Sequence, residues 1–151
     1  MALSRYDHRF PAIPAPAAAP APWALNPLRV ALLVACIGAA LTAPWWSEAN
    51  DLAVRDPELA TLLRFLGVVK LGLALLVGAG VWWRLAGECS PVRAVAYCGG
   101  VALMVLASLL ILMLSRLPQA AASYHGAAFA IFALIIQDKR LPALLTRLLR
   151  R

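Results

Sequence analysis

No carboxylate falls inside any of the four long apolar runs of this chain. All seven acids, Asp7, Glu48, Asp51, Asp56, Glu58, Glu88 and Asp138, lie between the runs or in the terminal tails. That excludes chemistry built on a membrane-embedded acid. Histidine is nearly as scarce. His8 lies in the N-terminal tail and only His125 lies in an apolar run, so a haem held by two intramembrane histidines is excluded. The three cysteines, Cys36, Cys89 and Cys98, show no C-x-x-C spacing. A metal site or a thiol redox pair therefore has no basis in their pattern. Cys36 and Cys98 read as small buried hydrophobes.

Charge of either sign is sparse. Only 14% of the 151 residues are charged and 63% are hydrophobic, with a mean hydropathy of +0.80. Soluble domains are about one quarter charged, and a soluble fold of this size does not hide so much apolar surface. The fold class expected is an all-α membrane protein, a four-transmembrane-helix antiparallel bundle. The spans are placed at residues 28–46, 59–83, 94–114 and 120–136. A span needs roughly 20 residues at 1.5 Å rise each. The fourth run is the shortest and needs Gln119 or Gln137 to reach both interfaces. Asn26-Pro27, Asp56-Pro57 and Ser90-Pro91 mark three starts, each an N-cap residue before a proline suited to the first helical turn. Trp45, Trp46, Trp82 and Trp83 sit at run ends, where amphipathic rings favour the interface.

The remainder divides into two tails. Residues 1–26 contain "FPAIPAPAAAPAPWAL". Its recurring prolines remove donors and fix φ, so a disordered, extended cytoplasmic tail of polyproline II character is expected. Residues 138–151 end in "LPALLTRLLRR". Leucines at 141, 144, 145, 148 and 149 share one face, with Arg147, Arg150 and Arg151 opposite. That pattern predicts a short amphipathic interfacial helix attracted to anionic lipid.

The net charge is +7, but the cations flank apolar runs rather than forming a patch, which argues against nucleic acid. Arg5, Arg9, Arg29, Arg84, Arg93, Lys139, Arg140, Arg147, Arg150 and Arg151 fall on one side, and only Arg55 and Arg116 on the other. The positive-inside rule then makes both termini cytoplasmic in an inner membrane. A cleavage site at "LTA" is blocked by Pro44, so the first run is read as a retained anchor.

Small residues recur at every fourth position: Ala31, Ala35, Ala39 and Ala43; Ala74 and Gly78; Ala94, Cys98 and Ala102; Ala122, Gly126 and Ala130. Such stripes let helix backbones approach in lipid. Two cations interrupt the second run. Lys70 is 12 residues from Glu58 and 14 from Arg84, near the midplane and roughly 20 Å from either interface. A central charge costs at least ~3 kcal/mol on insertion scales. Lys70 shares its stripe with Gly67, Ala74 and Gly78, so it should face the other helices. Arg64 lies six residues from Glu58 and can snorkel outward. Counting depth places Ser108 level with Lys70, and His125 level with Arg64, with Tyr124 beside it and Thr42 near. Lys70, Arg64, His125, Tyr124 and Ser108 are thus the candidates for binding a ligand or partner. Their polar groups suit an anionic headgroup, a quinone carbonyl or a haem propionate. The bland alternative is a polar network joining helices.

Several four-helix families are excluded by their own requirements. Thiol-oxidising membrane proteins need paired cysteines. Small multidrug exporters need a glutamate in the first helix. The glutathione-binding membrane enzymes of eicosanoid metabolism share the length, basicity and helix count, but their Arg/Asn/Glu signature is missing from the second run. The general look is that of small bacterial inner-membrane proteins, without a motif that assigns a family. The expectation is a non-enzymatic accessory, assembly or scaffold subunit with no predicted cofactor, meeting lipid, a membrane-protein partner or a second copy of itself. The alternatives are a haem- or quinone-binding redox accessory and a small transporter component.

Overall fold

The computed structural model describes residues 26–48, 51–87 and 89–137. The Pro/Ala-rich tail and the amphipathic stretch carrying Arg147, Arg150 and Arg151 lie outside the described residues. Within them the chain is entirely helical, with no strand. The helices are α1 (Pro27–Thr42), a 3-10 turn (Ala43–Trp46), α2 (Leu52–Arg55), α3 (Pro57–Arg84), α4 (Pro91–Leu112) and α5 (Leu117–Ile136). Four of them, α1 with its 3-10 turn, α3, α4 and α5, are long and apolar enough to cross a membrane.

Local chemistry accounts for the starts. The Asn26 carboxamide oxygen accepts from the Arg29 amide at 2.9 Å, the Asp56 carboxylate from the Leu59 amide at 2.9 Å, and the Ser90 hydroxyl from the Arg93 amide at 3.4 Å. Each cap satisfies an amide that the helix itself leaves open. Pro44 explains why α1 tightens before Trp46. It has no N–H to continue the α pattern, and the chain passes into the 3-10 turn there. The acidic connection after α1 holds one element the periodicity did not indicate, the single helical turn α2.

The helices are not equivalent. α4 buries ten residues, whereas α1 buries two, α3 five and α5 four. α1, α3 and α5 each pack on α4, which forms the axis of the core with Tyr97, Val101, Met104, Val105 and Ala107. On α3 the inward residues are Ala60, Gly67, Lys70, Ala74 and Val81, which include Gly67, Lys70 and Ala74 of the stripe read from the sequence, while its Gly78 is half-buried. At Gly67 the two backbones come close. A Cβ there would lie 2.9 Å from Leu112 Cγ and 3.1 Å from the Leu112 amide nitrogen.

The stripe on α5 is corrected. Ala122, Gly126 and Ala130 are exposed, and a Cβ on Gly126 would meet nothing within 4 Å. The inward face is Ala120, Tyr124, Ala127 and Ile131. The close approach is made by α4, where Gly100 receives the Ile131 side chain. Small-xxx-small spacing in an alanine-rich helix marks several faces at once. The large residues that need a socket decide which one turns inward.

The outer surface also carries many large apolar side chains. Val34, Ile37 and Leu41 on α1, Leu62, Phe65, Val68, Leu75 and Leu76 on α3, and Phe129, Phe132 and Ile136 on α5 are all exposed.

Candidate functional site

Lys70 is only 8% exposed. Its ammonium nitrogen is 3.3 Å from His125 Nε2 and 4.4 Å from the centroid of the Tyr124 ring. Tyr124 and His125 are consecutive on α5, so their side chains diverge. The Tyr124 ring turns inward and is buried, while His125 sits at the exposed edge of the helix. The Tyr124 hydroxyl donates to the Lys70 carbonyl at 3.1 Å. This bond holds the ring under the ammonium, where the negative face of the π-system attracts a cation. The two rings meet edge to face, with centroids 5.7 Å apart.

Between a lysine ammonium and a neutral imidazole, the ammonium donates and Nε2 accepts, which puts the ring proton on Nδ1. An imidazole and a ring face do not cancel a charge. The described carboxylates, Glu48, Asp51, Asp56 and Glu58, are all exposed at the far end of the helices. Lys70 therefore brings its amine into the core beside an imidazole and a ring face, with none of the described carboxylates near it, and His125 links it to the protein surface.

His125 belongs with Lys70, not at the depth of Arg64. The offset comes from helix length. α3 has 28 residues and α5 has 20, so the start of α3 runs more than a turn beyond the start of α5. Arg64 is exposed and lies about 9 Å further along α3. Ser108 is level with Lys70, as the contacts of Gly67 with Leu112 and of Gly78 with Val101 require. Its hydroxyl turns back to the Met104 carbonyl at 2.7 Å, a bond within its own helix. Thr42 likewise bonds the Gly38 and Ala39 carbonyls of α1. The structure thus joins Lys70, His125 and Tyr124, and leaves Arg64 and Ser108 apart from them. The basic residues Arg147, Arg150 and Arg151 are beyond the described residues.

Two polar clusters escaped the sequence reading. Among the described residues Arg29 is the most deeply buried basic residue, 1% exposed. Its Nε donates to the Trp82 carbonyl at 3.2 Å and its guanidinium lies 5.0 Å from the Trp82 ring centroid. The Asn26 carboxamide, besides capping α1, donates to the Leu85 carbonyl at 2.7 Å. Together they tie the start of α1 to the end of α3. A signal was available, because a cation in the first turn opposes the helix dipole and needs another reason to be there.

At the other end Glu48 pairs with Arg116, whose guanidinium stands over Trp46. The Glu48 amide donates to the Ser115 hydroxyl at 2.7 Å. Leu114 and Arg116, on either side of Ser115, have φ of 57° and 46°, the left-handed region that non-glycine residues seldom adopt. No glycine or asparagine announces this turn.

Among the described residues no three His, Cys, Asp or Glu side chains gather into a metal-binding group. Cys36, Cys89 and Cys98 are thiols. Comparison with protein-family models, curated proteins and solved structures yields no match to this chain.

Proposed function

We propose that the chain is a multi-pass inner-membrane protein, an antiparallel four-helix bundle with cytoplasmic termini. In this reading it is a non-enzymatic accessory or assembly subunit that offers the Lys70–His125 pair to an anionic group of a membrane partner. One observation carries the proposal. Lys70 is buried against an imidazole and an aromatic face, with no carboxylate beside it, and the imidazole reaches the surface. A cation kept at that depth without an acid is expensive to insert, and a partner that uses it supplies the compensation. Membrane insertion is supported by the apolar outer surface, since soluble monomers seldom expose contiguous apolar patches above a few hundred Å². The antiparallel order is supported by the way Gly67 meets Leu112 while Gly78 meets Val101.

The orientation has a direct check. In a chain whose native cysteines are replaced by serine, Asn50→Cys should label only from the outer side and Glu88→Cys only from the cytoplasmic side. Labelling of both from one face rules out four spans.

The partner reading is tested by extraction in mild detergent and identification of what copurifies. Lys70→Leu should melt at or above the native temperature, because it removes a desolvation cost without stranding an acid, and should lose the bound species. His125→Ala should lose it too, Lys70→Arg should retain part of it, and Arg64→Leu should leave it in place. Unchanged copurification with Lys70→Leu would reject the site. A visible absorption band or an extracted quinone would replace this reading with the redox one, and ion flux in vesicles with the transporter one.

A further inference from the structure

α3 and α5 each pack on α4 and hardly on each other. What bridges them is Lys70 from one and Tyr124 and His125 from the other. Lys70 is central in α3 but not in the bundle. Gly67 meets Leu112 and Gly78 meets Val101, so Lys70 lies opposite Leu109 and about 5 Å from the level of Leu112, where α4 ends. The pair thus stands towards the end marked by Glu48 and Arg116, the outer end in the topology proposed above, where water is within short reach.

The contact of 3.3 Å between Lys70 Nζ and His125 Nε2 is an N–H···N bond. It needs a proton on one nitrogen and a lone pair on the other. It holds with an ammonium donating to the imidazole, and equally with the imidazole N–H donating to a neutral amine. It fails when both nitrogens are fully protonated, because neither can then accept and two cations face each other. Imidazole changes charge between about pH 5 and 8. Few other titratable groups face the pair. α5 itself presents Tyr124, whose ring lies beneath Nζ. On α3, Arg64 is about 9 Å further along. On α4 the last titratable residue is Cys98, about 15 Å before Ser108. α1 packs on α4, with its Arg29 at Trp82 and its Cys36 in a groove beside Ala74 and Gly78.

We infer that the Lys70–His125 site is gated by protons: a second proton on the pair breaks the bond, the imidazole turns away at the exposed edge of α5, and the Lys70 amine is uncovered. For what the open site admits, an anionic group bound with uptake of a proton, the inference rests on the reading above. His125 is the part that moves. It is exposed, whereas Lys70 is buried and the Tyr124 hydroxyl is bonded to the Lys70 carbonyl.

The chain has two histidines, His8 and His125, and two lysines, Lys70 and Lys139. His8→Gln with Lys139→Arg leaves one of each, and both changes lie outside the described residues. The full chain with these changes, isotope-labelled at the nitrogens of lysine and histidine, is followed by solid-state NMR in dioleoyl phosphatidylcholine vesicles at about pH 8 and about pH 5. At the higher pH the Nζ–Nε2 coupling should correspond to a distance near 3.3 Å. At the lower pH the ring should be doubly protonated, the coupling lost, and Nζ should gain magnetisation transfer from water. His125→Gln keeps an acceptor that does not titrate, and should show no change in that transfer between the two. A doubly protonated ring still coupled to Nζ, a ring that stays neutral at the lower pH, or a gain in water transfer that persists in His125→Gln would each overturn the inference. The partner reading fails in a different way. Copurification unchanged by Lys70→Leu removes the partner and leaves the gate, whereas a bound species lost with Lys70→Leu, beside a Lys70–His125 contact indifferent to pH, removes the gate alone.

Discussion

Gly67→Leu should prevent α3 from docking on α4, and Gly67→Ala should destabilise the chain measurably. The added Cβ would sit 2.9 Å from Leu112 Cγ and 3.1 Å from the Leu112 amide nitrogen. A side-chain tip can move aside, but the amide belongs to the last turn of α4 and moves only with the helix. Overpacking of this kind costs about 1–3 kcal/mol. Alanine recovers roughly 0.5–1 kcal/mol of backbone entropy relative to glycine in a helix, so a net loss remains. Leucine adds three more carbons in the same space. The control is Gly72→Ala, where a Cβ meets nothing within 4 Å and only the entropic gain applies. Thermal unfolding in detergent should order the variants as Gly72→Ala at or above native, Gly67→Ala below, and Gly67→Leu aggregated or unfolded. A Gly67→Leu chain that melts like the native one would mean that α3 and α4 do not meet at this point.

The second large effect belongs to Arg29. Arg29→Leu removes a hydrogen bond from a charged donor to the Trp82 carbonyl and a guanidinium stacked 5.0 Å from the Trp82 ring centroid. Hydrogen bonds to charged groups contribute about 1.5–3 kcal/mol, and a desolvated cation–π contact adds up to about 2. Leucine returns part of this through burial, which leaves an expected loss of about 2–3 kcal/mol. Arg29→Lys should recover only a fraction, because an ammonium cannot stack on the ring and bond the carbonyl with the same planar group. A double-mutant cycle with Trp82→Leu should show non-additivity. Additive losses would mean that the two side chains do not act together.

The helices were legible in the sequence because their signals are local. An N-cap before proline, repeated at Asn26, Asp56 and Ser90, places the starts of α1, α3 and α4 from neighbouring residues alone, whereas α5 begins without one. The inward face of α3 was legible in the stripe of Gly67, Lys70, Ala74 and Gly78, of which the first three are buried, while Ala60 and Val81 extend it beyond that reading. The α5 face was not. Ala122, Gly126 and Ala130 carry the same spacing as the true contact face, and only the fit of Ile131 against Gly100 separates them. The Lys70–His125 contact depends on how far α3 projects past α5, a relation between two helices that no single run encodes. The left-handed turn at Leu114 and Arg116 was invisible for a different reason. It carries the Ser115 amide bond to the Leu110 carbonyl and the Glu48 amide bond to the Ser115 hydroxyl, against the preference of the residues that adopt it.

The central position of α4 has a consequence for synthesis. α1 and α3 leave the ribosome before the helix on which both of them pack. Until α4 arrives, Gly67 faces nothing it was shaped for, and Ala74 and Val81 have no wall. Lys70 waits longer still, because Tyr124 and His125 lie in the last of the long helices. The early chain therefore holds two long apolar helices joined by Asn26, Arg29 and Trp82, one of them with Lys70 near its middle. The contacts of α1 and α3 with α4, and of Lys70 with Tyr124 and His125, therefore form only once the C-terminal half of the chain is present.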